Sequence, residues 1–326
     1  MFFFFVSICL AVNHSSWTSS LNLPPHPEPD YHFYNEMHHE LAQLSSIRNI
    51  QPFVIGHTVE KRPIWAFRSS NPKTPVQRRI LIFAGLHALE WIGTEAALQF
   101  IERFSKHPID GIEAVVVPIV NVDRRLLVEE DLLKGERAYR RSNAAGIDLN
   151  RDFEINRRSD AIWKHVFPDR YSTSPAPLSQ PETRALDRMV QAETYDAVVS
   201  LHSFGGYIYY PWAGQYERVQ DWQHLHAMAT AMKTGQRDRH PYRVKQLSHW
   251  WFIFRILGSE IDHFYGKYNI PSFLIELTWT GIHPLKPKTW RDPFRMYNPI
   301  NPQRHSTHGS DALYALCIYF HQRLDE

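Results

Sequence analysis

Four short, strongly apolar stretches limit what this chain can fold into. Residues 79–84, 114–120, 197–201 and 272–277 each carry a run of aliphatic and aromatic side chains. They are too short for globular helices, and their predominantly apolar character is that of buried strands. Residues 63–68 read as a further strand. Helical patterns lie between and after them. Residues 93–104 place Ala96, Ala97, Phe100, Ile101 and Phe104 on one face, and 181–191, 221–233, 259–268 and 310–323 also read as helices. Strands alternating with helices predict an α/β fold layered around a largely parallel or mixed sheet.

At 326 residues the chain has room for one large domain or two small ones. No compositional break marks a second domain. Residues 1–20 are expected to be a signal peptide, 21–44 a Pro-containing leader or linker, and 45–326 a single body. The apolar run from Phe2 to Val12 is broken only by Ser7. It is shorter than the roughly 20 residues a spanning helix needs and has the length of a secretory h-region, although no Lys or Arg precedes it. A secreted or periplasmic protein with no stable membrane span is the expectation. Oligomeric state is not legible.

Composition removes several classes of function. Hydrophobic residues at 43% and charged residues at 21% are those of a soluble globular protein. Lys and Arg outnumber Asp and Glu by only 36 to 34, so no strong field points to nucleic acid. Of two cysteines, Cys9 lies in the apolar N-terminus, leaving Cys317 alone in the body. A disulfide framework and a multi-thiolate zinc site are both excluded. A bound metal must therefore be held by the 19 histidines and the carboxylates.

His87 and Glu90, three residues apart, follow the strand at 79–84 directly. His202 follows the apolar run at 197–201. Open α/β sheets gather ligands at the carboxyl ends of their strands. Two histidines and a glutamate are the ligand set of a catalytic zinc site with one position left for water. An isolated His-x-x-Glu is commonly structural, so from these residues alone the metal-binding and structural readings stand side by side.

Further motifs surround this set. Gly146-Ile147-Asp148-Leu149-Asn150-Arg151-Asp152-Phe153 is preceded by Gly-Leu-His87-Ala-Leu-Glu90-Trp and Pro118-Ile-Val-Asn121-Val-Asp123. It is followed by Ser179-Gln-Pro-Glu-Thr-Arg-Ala-Leu186, His202-Ser-Phe-Gly-Gly-Tyr207 and Phe273-Leu-Ile-Glu276-Leu277. In this order the six resemble the zinc metallocarboxypeptidases of the carboxypeptidase A type, over roughly residues 45–320. The resemblance implies an α/β/α sandwich with a mixed, twisted sheet of about eight strands. It also implies one Zn2+ ion and a peptide substrate with a free C-terminal carboxylate.

The resemblance assigns roles residue by residue. His87, Glu90 and His202 are the implied zinc ligands, and Asp148 orients His87. Glu276, at the end of an otherwise apolar strand, is the implied general base for the attacking water and the proton carrier to the leaving amine. Arg140, ten residues before Asn150, is the implied carbonyl-polarising cation. Asn150 and Arg151 are the implied clamp for the substrate carboxylate, which an arginine fork binds in bidentate fashion. Ile261 matches the base of the specificity pocket and implies a neutral, aliphatic or aromatic C-terminal residue.

Three positions depart from the family pattern. Phe254 stands where a mobile tyrosine is usual, Leu89 where a basic residue is common, and Asp152 where asparagine is usual. For Phe254 three readings are open. Another tyrosine such as Tyr265 or Tyr268 supplies the hydroxyl, binding is weakened with the chemistry retained, or the chain is a peptide-binding pseudoenzyme. The second is favoured because every implied ligand and the base are present. Trp250, Trp251 and Phe252 line the pocket or fill the core, the core being the default for aromatics. A same-scaffold deacylase of N-acyl amino acids is the alternative activity, disfavoured by the Asn150-Arg151 pair.

Overall fold

The computed structural model describes residues 27–47, 49–236, 240–279 and 292–325. The expected signal peptide at 1–20 lies outside them. Helix α1 (Tyr34–Ile47) comes first. Strands β1 (Ile50–His57), β2 (Pro63–Ser70) and β3 (Arg78–Ala84) follow, then α2 (Trp91–Lys106), β4 (Ile112–Val117) and α3 (Val122–Leu133). Short 3-10 turns and α4 (Pro168–Tyr171) lead to α5 (Pro181–Ala192), β5 (Ala197–Ser203) and β6 (Tyr207–Tyr210). The chain continues through α6 (Trp222–Gly235), β7 (Arg243–Gln246), α7 (Glu260–Tyr268), β8 (Ser272–Leu277), α8 (Pro293–Tyr297) and α9 (Gln303–His321).

The eight strands form one sheet in the order β1-β2-β4-β3-β5-β8-β6-β7. Its centre is parallel, with β4, β3, β5 and β8 running together. Antiparallel pairs at β1–β2, β2–β4 and β6–β8 make it mixed. Alternation along each strand divides the core into two layers. Ile80, Ile82, Ala84, Val199, Leu201, Phe273 and Ile275 pack on one face with residues of α1, α2, α6 and α9. Leu81, Phe83, Val115, Val117 and Val198 pack on the other with residues of α5 and Phe264 of α7. Burying each such side chain contributes about 1.5–3 kcal/mol, which keeps the interiors of the central strands largely apolar, with Ser200 of β5 and Glu113 of β4 among the buried polar exceptions.

The expected body boundary at residue 45 needs correction. It falls inside α1, whose Met37, Leu41 and Leu44 are buried in the first core layer. Residues just ahead of and at the start of this helix are tied to the body by carboxylates. Glu95 accepts from His32 N–H at 2.8 Å and Glu129 from Tyr34 N–H at 2.7 Å, while Glu36 within α1 accepts locally from Phe33 N–H at 2.8 Å. A three- to four-residue apolar spacing in a polar, His-rich segment was easy to read as leader. The predicted last helix also starts too late, since α9 begins at Gln303. No helix among the described residues is long and apolar enough to cross a membrane.

Candidate active site

The site sits at the carboxyl ends of β3, β5 and β8. Directly after β3, Gly85 takes φ +66°, and a Cβ there would lie 3.2 Å from the Ile119 Cα. Only glycine makes that turn without strain, and the turn delivers His87. Glu90 immediately precedes α2 at its amino end, where the helix dipole favours a carboxylate. His202 is the penultimate residue of β5 and stands in register with Glu276 of β8.

Three donors converge. Glu90 Oε1 lies 2.9 Å from His87 Nδ1, and Glu90 Oε2 lies 3.0 Å from His202 Nδ1. The two Nδ1 atoms are 3.2 Å apart, and all three side chains are buried. Each imidazole turns its other nitrogen to a carboxylate. His87 Nε2 is 2.9 Å from Asp148 Oδ1, and His202 Nε2 is 3.1 Å from Glu260 Oε1. When each Nε2–H donates outward, both Nδ1 lone pairs point at one place, which calls for a cation there, either a proton or a metal ion. Four carboxylates, Glu90, Asp148, Glu260 and Glu276, gather here against the guanidinium groups of Arg141 and Arg151. A cluster so rich in carboxylates suits a divalent cation, which would favour their charged forms. Among the described residues this is the one group of three such side chains able to hold a metal ion, and its donor set fits zinc with an open position.

The charges around it are strongly biased. Burial raises Glu90, but His87 and His202 overrule it and hold the carboxyl below its ordinary value. Burial works against charge on His202, yet hydrogen bonds to Glu260 and Glu90 push it up to about 10. Glu276 is pushed up to about 8, first by burial and then by the charge of Glu90. Its Oε2 is buried without a hydrogen-bond partner, which leaves an acceptor aimed into the cleft.

The cleft has a volume of about 820 Å³. His87, Glu90, His202 and Glu276 line its floor, and Arg141, Asp148, Asn150 and Arg151 one side. Tyr209, Leu247, Phe254, Ile256 and Leu274 form an apolar recess, and Tyr139, Phe204, Trp279 and Tyr297 stand at the rim. The sequence profile of the zinc carboxypeptidases matches residues 35–296. This chain belongs to that family.

Carboxypeptidase A6 of Mus musculus is 23% identical over 289 residues, covering 82% of this chain and 66% of the relative. Carboxypeptidase B of Rattus norvegicus is 26% identical over 247 residues, covering 70% and 58%. The chain thus spans less than two thirds of the length of these curated relatives. In fold it is similar to thrombin activatable fibrinolysis inhibitor, with TM-score 0.70, 21% identity and coverage of 90% of this chain and 75% of that one. Carboxypeptidase A of Helicoverpa armigera superposes with TM-score 0.68 at 20% identity, covering 90% and 73%. At 20–21% identity the likeness to those two proteins is one of fold.

Most residues expected from sequence are brought together, with two exceptions. The arginine in the cleft is Arg141, not Arg140. Arg141 Nε donates to Asp148 Oδ2 at 2.9 Å, and its Nη1 lies 3.5 Å from Glu90 Oε1. Arg140 turns away and forks onto Asp131, at 2.7 and 2.9 Å. The segment is not helical, so neighbouring side chains leave it in opposite directions, and a register wrong by one residue exchanges inside for outside. Burial lowers Arg141, but Asp148 and Glu90 outweigh it and keep it firmly cationic. The second exception is Ile261. It is fully buried behind Tyr209, Leu247 and Leu274 and does not line the cleft, whose apolar surface is supplied by Leu247, Ile256 and Leu274.

Asp148 both receives His87 and caps the 3-10 turn Leu149–Arg151 by accepting from Asn150 N–H at 2.9 Å. Phe254 lines the cleft, its ring edge-on to Trp250 at 4.9 Å. The two tyrosines considered as substitutes point elsewhere. Tyr265 donates to Asp221, and Tyr268 to Asp187 at 2.5 Å. The phenols that do reach the cleft are Tyr139, Tyr207, Tyr209 and Tyr297. Trp250 lines the cleft, and Trp250, Trp251 and Phe252 are all exposed, so none fills the core. Asp152 accepts from Ser179 N–H, Gln180 N–H and Thr183 Oγ1 at 3.1, 3.0 and 2.5 Å. It thereby ties down the residues that lead into α5, and Thr183 in its first turn. Leu89 is buried beneath the site, where a basic side chain would be stranded.

Proposed function

We propose that the chain is an exopeptidase that removes neutral, hydrophobic residues from the C-termini of peptides by activating a water molecule. The observation that carries this reading is the convergence of His87, Glu90 and His202 beside a buried carboxylate, Glu276, whose free oxygen faces the same cleft. A zinc ion bound there would acidify water and polarise a carbonyl group.

The chain's own residues account for the remaining demands. Glu276, raised by burial and by Glu90, is basic enough to take a proton from water and acidic enough to pass it to a departing amine near neutral pH. Arg141 is held in place by Asp148 before any substrate arrives, so a negative charge developing on the scissile oxygen meets a fixed cation. Asn150 and Arg151 present an amide and a guanidinium for the terminal carboxylate, a charged hydrogen bond of about 1.5–3 kcal/mol that mid-chain peptide cannot make. The recess of Leu247, Ile256 and Leu274 offers no countercharge to a basic or acidic side chain. Phe254 leaves the recess without a phenol at that point, which weakens substrate binding and leaves the chemistry in place. The apolar run from Phe2 to Val12, with the length of a secretory h-region, supports an activity outside the cytoplasm.

The test is zinc content together with hydrolysis of an N-blocked dipeptide ending in Phe or Leu, as the free acid and as the C-terminal amide. Zinc-dependent cleavage of the acid and not the amide is expected. Equal rates on both would support a deacylase, and folded, zinc-loaded protein with no turnover would support a peptide-binding role.

A further inference from the structure

Glu260 is the one carboxylate of the site for which neither the reaction nor the clamp has a use. It is completely buried at the amino end of α7, directly after the capping position Ser259. Its Oε1 meets His202 Nε2 at 3.1 Å, and Ser259 Oγ donates to its Oε2 at 3.1 Å. Its own backbone N–H points to Asn150 Oδ1 at 3.4 Å. Burying a carboxylate costs several kcal/mol unless it is paired, more than the roughly 0.3–1 kcal/mol the helix dipole usually returns to a first-turn acid. The position therefore asks for a use of the charge.

His87 supplies the comparison. Its Nε2 meets Asp148 as the Nε2 of His202 meets Glu260, and the two Nδ1 atoms face each other across 3.2 Å. A carboxylate behind an imidazole holds the proton on the outer nitrogen, fixes the ring plane and makes the inner nitrogen a stronger donor. We propose that Glu260 is the positioning residue for His202, so that both histidines of the metal site are backed by a buried carboxylate. Through its backbone N–H, the same residue orients the Asn150 amide, joining the metal site to the carboxylate clamp. The proposal rests on the zinc reading of His87, Glu90 and His202.

The test compares purified wild type with Glu260→Gln and Glu260→Ala. It measures zinc affinity by competition with a chromogenic chelator, the visible spectrum of the Co2+-substituted protein, and thermal unfolding. Glu260→Gln keeps the size and loses the charge. It is expected to bind zinc about 10-fold more weakly, with Glu260→Ala nearer 100-fold, and both are expected to show altered Co2+ bands. A helix-capping role alone would lower the melting temperature and leave affinity and spectrum unchanged; that result in folded Glu260→Gln overturns the proposal even if Glu260→Ala does not fold. Failure of wild type to take up either metal overturns the zinc reading itself and this proposal with it.

Discussion

His202 and Glu276 face each other across adjacent parallel strands, β5 and β8, in direct register. The pairing places a candidate metal ligand and a candidate base on adjacent interior strands of the sheet, where the backbone hydrogen-bond ladder fixes their separation. The neighbouring parallel strand β3 ends beside β5 and, through the Gly85 turn, adds His87 and Glu90. Constellations supported on strands hold tighter tolerances than those carried by loops.

Glu276→Gln tests the base. The amide cannot accept the water's proton, so kcat is expected to fall about 10²–10⁴-fold, while zinc content stays at the wild-type level because the three ligands are untouched. Full activity in this variant, measured on an N-blocked dipeptide, sinks the mechanism.

Arg140 and Arg141 make opposite predictions. Removing Arg141, which bonds Asp148 beside the metal donors, is expected to cost about 10²–10³-fold in kcat, the usual loss for one oxyanion donor. Arg140→Ala breaks only a partly exposed pair with Asp131 and is expected to leave kcat/KM within a few-fold. A larger loss for Arg140→Ala than for Arg141→Ala would reverse the assignment.

What the sequence made legible was whatever depends on pattern or local chemistry. Strand β8 is found at its observed limits because Phe273, Leu274, Ile275 and Leu277, broken only by Glu276, read as a short buried strand. His87, Glu90 and His202 were found because their residue types are chemically specific. Strand β6 and the edge strand β7, four residues each, carry too little pattern to be seen. Arg141 was missed by one residue because two adjacent arginines look alike until the backbone decides which points inward. Glu260 was missed because an acidic residue in the first turn of a helix ordinarily needs no explanation beyond the dipole. Ile261 was placed in the pocket by its position in a motif. Which apolar residue reaches a cavity surface depends on packing several residues deep, and here Ile256, Leu247 and Leu274 stand in front.

That difference yields a specificity prediction. Ile256→Asp puts a carboxylate on the cleft wall and is expected to shift the ratio of kcat/KM for C-terminal Lys over Phe upward by about 10- to 100-fold, the worth of one charged hydrogen bond. Ile261→Asp buries its charge behind that wall and is expected to lower the melting temperature sharply without a comparable switch. A clean switch from Ile261→Asp in stably folded protein would return Ile261 to the pocket floor.

Stability at alkaline pH is expected to depend on His32, which fastens the segment before α1 to the body. Its Nε2 lies 2.9 Å from Glu40 and its Nδ1 2.7 Å from Glu95. These hydrogen bonds, to Glu40 first and then Glu95, push His32 up to about 10 against the opposing effect of burial. A histidine raised in the folded state contributes stability that is complete below its unfolded value of about 6.5 and is lost as pH rises through its folded value. Wild type should therefore exceed His32→Gln in urea midpoint by the widest margin near pH 6. The margin should narrow through pH 8 and be smallest by pH 10, when the imidazolium has lost its proton and Glu40 and Glu95 face a neutral ring. A margin that is constant or grows between pH 6 and 10 would show that the ring is held by packing and not by its charge.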